Sequence, residues 1–129
     1  MFLLNGMEWN SIIETNGIVR HVQLKASYIG SKTSRQKIHV KLADKPSGCV
    51  VWIYFDENTL ELGPFYFFGG SPGNPLPPIQ EERVARHTKG DQDGYKAEHP
   101  NIRELNKGQF TKYESILDIY TVLFGISNA

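Results

Sequence analysis

Apolar and polar residues alternate along residues 8–15 and again along 18–25, with Asn16-Gly17 between the two runs. Alternation with a period of two marks a strand with one covered face. Asn-Gly between such runs predicts a hairpin, because both residues of the tight turn take positive φ, which Asn and Gly tolerate best. A two-residue turn also sets the register: Thr15 faces Ile18, Asn10 faces Gln23 and Glu8 faces Lys25. One face then carries Glu8, Asn10, Ile12, Val19, His21, Gln23 and Lys25, and the other Trp9, Ser11, Ile13, Arg20, Val22 and Leu24. A slip of one residue would exchange the two faces.

Residues 28–35 are loop-like and basic, and Ile38, Val40 and Leu42 alternate in the next run, which suits a strand or, through Ala43 and Lys45, a short helix. Residues 49–55 form an unbroken apolar run bounded by turn residues, the pattern of a central strand covered on both sides. Residues 60–68 return as a second strand, kinked at Gly63-Pro64. Four of the seven prolines fall in 69–79, predicting a stiff surface connection. Residues 86–101 predict a polar loop, and Asn101 to Leu105 a short strand. Thr111 and Glu114 have capping-box spacing, and Ile116, Leu117, Tyr120, Leu123 and Phe124 recur at helical spacing up to Gly125. The expected fold is α/β (α+β): one domain over residues 1–129, a central mostly antiparallel or mixed sheet, an N-terminal hairpin and a covering C-terminal amphipathic helix.

Composition narrows the function classes. Fourteen basic and fourteen acidic residues cancel, which argues against strong nucleic-acid binding over the whole surface but leaves room for a local basic groove. The single Cys49 forms no internal disulfide, which fits a reducing cytoplasm, and its apolar surroundings predict a buried thiol. The apolar start is too short and lacks the basic leader of a signal peptide, and no run has the length of a membrane span.

The polar hairpin face is the main chemical candidate. Glu8, Asn10 and Gln23 bring oxygen atoms together, the donor type Mg²⁺ takes, and Lys25 adds a compact cation for phosphate or for an attacking water. The plainer reading of the same residues is a solvated hairpin. The arrangement of Asn10, Gln23 and Lys25 resembles the PD-(D/E)xK nuclease superfamily over roughly residues 8–55. In that family an acid on one strand sits beside an acid or Gln and a Lys on the next, within an α-β-β-β-α-β core. The resemblance implies catalytic positions Asn10, Gln23 and Lys25, and metal ligands Glu8, Asn10 and Gln23 around Mg²⁺. It implies either phosphodiester hydrolysis or, since Asn10 stands where the family has an acid, a relative that binds nucleic acid without cutting it.

Phosphate contacts are expected at Lys32, Arg35, Lys37 and Lys89, with Arg83, Arg86, His87 and Lys96 in the same later basic group; interleaved acids also fit an ordinary solvated surface there. His21 shares the candidate face and is either a structural imidazole or an acid–base group. The histidines lack zinc-site spacing, residues 69–75 lack the Gly-Lys-Ser/Thr of a phosphate cradle, and Asp91-x-Asp93-Gly94 lacks the distant Glu of a calcium loop. The competing class is a non-enzymatic interaction module, homodimeric through strand 60–68.

Overall fold

The structure, a computed structural model, describes residues 3–5, 8–79, 82–86 and 98–125; at 3–5, 8, 9, 86, 98 and 99 it describes the backbone alone. Strands β1 (Leu3–Asn5), β2 (Glu8–Thr15) and β3 (Ile18–Tyr28) form an antiparallel ribbon. The turn is the one expected: Asn16 and Gly17 have φ of 51° and 82°, and Gly17 N donates to Glu14 Oε1 at 2.7 Å. Its register is also as expected, Thr15 to Ile18 outward to Glu8 and Lys25.

The chain then leaves the sheet. It forms β4 (Arg35–His39) and a 3-10 turn (Val40–Asp44), and returns as β5 (Gly48–Phe55), which runs parallel to β3. β6 (Leu62–Gly69) pairs antiparallel with β5. The connection is capped by Asp56, whose Oδ1 accepts from the backbone N–H of Thr59 at 3.0 Å and Asn58 at 2.8 Å; these bonds hold its carboxyl below the usual carboxylate range. β7 (Arg83–Arg86) and β8 (Glu98–Asn106) follow, then a second 3-10 turn (Lys107–Gln109), β9 (Thr111–Tyr113) and helix α1 (Ile116–Phe124).

The domain is thus α+β with two sheets. The large mixed sheet has the order β1-β2-β3-β5-β6-β9, and the small one β4-β8-β7. Side chains of β5 alternate between two cores. Val50, Trp52 and Tyr54 pack with Ile38, Leu105 and Phe110 on the small-sheet side, whereas Cys49 and Val51 pack with Val22, Phe65, Phe67 and the helix residues Ile119, Leu123 and Phe124 on the other. The doubly covered strand expected at 49–55 is therefore present.

Several expectations are corrected. Residues 111–113 are not a helix start but a strand paired to Phe65–Phe67. The helix begins four residues later, where Ser115 Oγ accepts from Asp118 N at 3.1 Å, and it ends at Gly125, whose φ is 64°. Segment 69–79 is not confined to the surface: Leu76 and Ile79 anchor it in the small-sheet core. β7 was not foreseen, β8 starts at Glu98 rather than Asn101, and residues 87–97 lie outside the described set. The aromatic strand is interior, with Phe65 and Phe67 buried; the exposed apolar residues of segment 60–68, and so the part open to a partner, are Leu60 and Leu62. Among the described residues no helix is long and apolar enough to cross a membrane.

Candidate functional site on the hairpin face

The hairpin brings Asn10 opposite Gln23 and Glu8 opposite Lys25. The parallel pairing then decides what lies behind them. Gln23 sits beside Val50, Lys25 beside Trp52 and Ser27 beside Tyr54, so the face looks into the layer between the two sheets. Gln23 is 2% exposed and Lys25 6% exposed, whereas Asn10 is open to solvent. Ser27, next on this face, accepts from Trp52 Nε1 at 3.0 Å. The candidate triad thus has one member at the surface and two beneath it. The Glu8 side chain lies outside the described residues.

Next to Asn10 the face opens into a groove of about 250 Å³, lined on the hairpin by Asn10, Ser11, Ile12, His21 and Val22 and on the 3-10 turn side by Leu42 and Lys45. The turn is pressed close to the sheet: a Cβ at Gly48 would lie 2.6 Å from the Leu42 carbonyl oxygen, so only glycine fits there. His21 Nδ1 lies 2.7 Å from the Pro46 carbonyl. A carbonyl only accepts, so Nδ1 is the donor and Nε2 is the ring nitrogen left for another contact. His39 has a different task, its Nδ1 accepting from Lys41 N at 3.1 Å to cap the turn.

Of the expected phosphate contacts, Lys32 and Arg35 are exposed on the loop after β3 and the start of β4, and Lys37 is half-buried opposite Glu104. Lys89 lies outside the described residues, as do His87 and Lys96. Arg83 pairs with Glu104 at 3.4 Å, matching the solvated-surface reading. The described side chains at Asn10 and Gln23 supply two amide oxygens, and the carboxylate of Glu14, farther along the same face, accepts from Gly17 N at the turn. Among the described residues no group of three or more His, Cys, Asp or Glu is placed to hold a metal ion. Mg²⁺ takes one or two carboxylates with its waters. The described set does not fit such a centre, and what it offers is polar contact to a ligand.

Two cations escaped the sequence reading. Arg20 is fully buried beside α1, and Lys107 lies over the rings of Trp52, Tyr54 and Tyr66. Arg20 carried a signal, an arginine between Ile18 and Val22 on the face expected to be covered. Lys107 carried none, since its rings come from strands more than forty residues away. No protein-family model, no curated protein and no solved structure matches this chain.

Proposed function

We propose that this chain is a nuclease-like module that binds nucleic acid through phosphate and base contacts at the hairpin face, without a metal-dependent cutting step. The observation that carries the reading is the exposed amide of Asn10, which forms the rim of a face whose deeper members are Gln23 and Lys25. Asn10 offers both a donor and an acceptor at that point. Lys32 and Arg35 lie exposed on the loop and strand that follow, where they add positions for the phosphate backbone.

Fluorescence anisotropy with short labelled DNA and RNA tests this. Affinity should fall linearly with the logarithm of salt concentration, and Lys32→Ala and Arg35→Ala should each reduce the slope by about one counterion. Asn10→Asp, at an exposed position that leaves the fold intact, should weaken binding by about tenfold by placing a carboxylate at the rim. Absence of binding at low salt overturns the reading. Mg²⁺-dependent plasmid nicking that is lost in Lys25→Ala would replace binding alone with hydrolysis.

A further inference from the structure

We infer that the groove between the hairpin and the Val40–Asp44 turn receives one unpaired nucleotide of a nucleic-acid strand. This rests on the binding function proposed above and specifies the form of the substrate. Asn10 belongs to both places, since it pairs with Gln23 on the candidate face and also lines the groove. A strand whose phosphate lies at the rim therefore has the groove within one nucleotide's reach.

The walls suit a flat heterocycle with its sugar. Ile12 is 59% exposed although it lies on the polar face of the hairpin, and Leu42 faces it from the turn. Apolar walls with a few convergent polar groups are the usual make-up of a small-ligand site. The polar groups here are the Asn10 amide, the Nε2 of His21 and the ammonium of Lys45. Asn10 can meet a base edge with paired donor and acceptor. His21 is held by the Pro46 carbonyl, so its free nitrogen keeps a fixed direction. Lys45 is exposed beside the groove and supplies a phosphate contact. The turn cannot be pushed back by a side chain at Gly48, so this spacing is part of the fold. A space of about 250 Å³ admits a single nucleotide and excludes a base-paired helix. A paired base hides the edge that Asn10 would meet, so the strand must be open at that position.

The experiment compares a labelled oligothymidylate with the same strand annealed to oligoadenylate, using thymidine monophosphate as competitor. The single strand should bind at least about tenfold more tightly than the duplex, and the mononucleotide should displace it. Ile12→Asp and Lys45→Ala should each weaken the single strand by about tenfold, and Ile12→Asp should weaken the single strand more than the duplex. Both positions are exposed, and unchanged circular dichroism confirms that each variant is folded. If duplex and single strand bind equally and Ile12→Asp matches the wild type, the groove is not the site, while the binding function stands. If neither form binds, both are overturned.

Discussion

Arg20 and Lys107 are cations on opposite faces of the same sheet, held by different chemistry. On the helix side, Arg20 Nε donates to Ser47 O at 3.2 Å, Nη1 to Leu123 O at 3.1 Å and Nη2 to Gly70 O at 3.1 Å, with the guanidinium 5.5 Å from the Phe67 ring centre. On the small-sheet side, Lys107 Nζ lies 5.1, 4.5 and 5.3 Å from the ring centres of Trp52, Tyr54 and Tyr66. A planar guanidinium has donors in a fixed fork, so it can satisfy three carbonyls that point from different segments. One of them belongs to the last turn of α1, where the helix dipole is negative. An ammonium over ring faces needs no directional partner and keeps part of its hydration. The first arrangement is all-or-none and joins three distant segments, whereas the second is graded and joins one turn to the sheet.

The largest expected effect follows from the directional clamp. Arg20→Met strands three carbonyls in a closed core and should lower stability by about 3–5 kcal/mol, read from the urea midpoint. Arg20→Lys keeps the charge and loses the fork, so it should recover only part of this; full recovery would end the distinction. Lys107→Met should lower stability by about 2 kcal/mol, and Lys107→Arg should retain most of the wild-type value. Ser27→Ala removes the acceptor for Trp52 Nε1 and should lower stability by about 1–2 kcal/mol. Because that bond orients one of the rings under Lys107, the double variant with Lys107→Met should be less destabilised than the sum, by urea unfolding of all four proteins.

The smallest effect reports on Arg20 through its neighbour. Burial pushes the Cys49 thiol up from 9.0 to about 11, against a lowering by the Arg20 charge. The unfolded chain therefore gives up this proton first. Between pH 9 and about 11 it binds fewer protons than the folded chain, so stability should fall as pH rises through that window. Cys49→Ala should flatten the change, and the native thiol should resist Ellman's reagent at pH 8.

What was readable in the sequence was local. Asn16-Gly17 sets its own φ angles, and with them the whole β2–β3 register, since a turn constrains only its own neighbours. The apolar run 49–55 and the helical stripe ending at Gly125 were equally plain. Thr111 and Glu114 misled because capping-box spacing is local, whereas pairing with Phe65–Phe67 is not. For the candidate site, the same division holds. Which residues share a face followed from alternation. How deep they lie did not, because β4 and the distant β8 build the small sheet over that side.

The parallel run of β3 and β5 has a consequence for how the molecule is made. A parallel pair needs a long return path, and here that path contributes β4 and the 3-10 turn. Among the described residues β4 pairs with β8, roughly 63 to 71 residues downstream. On the ribosome the hairpin can close as soon as it emerges, but the lysine on its inner side stays wet until the last quarter of the chain is synthesised. The nascent protein thus carries for some seconds an exposed, half-apolar ribbon that only late translation can seal.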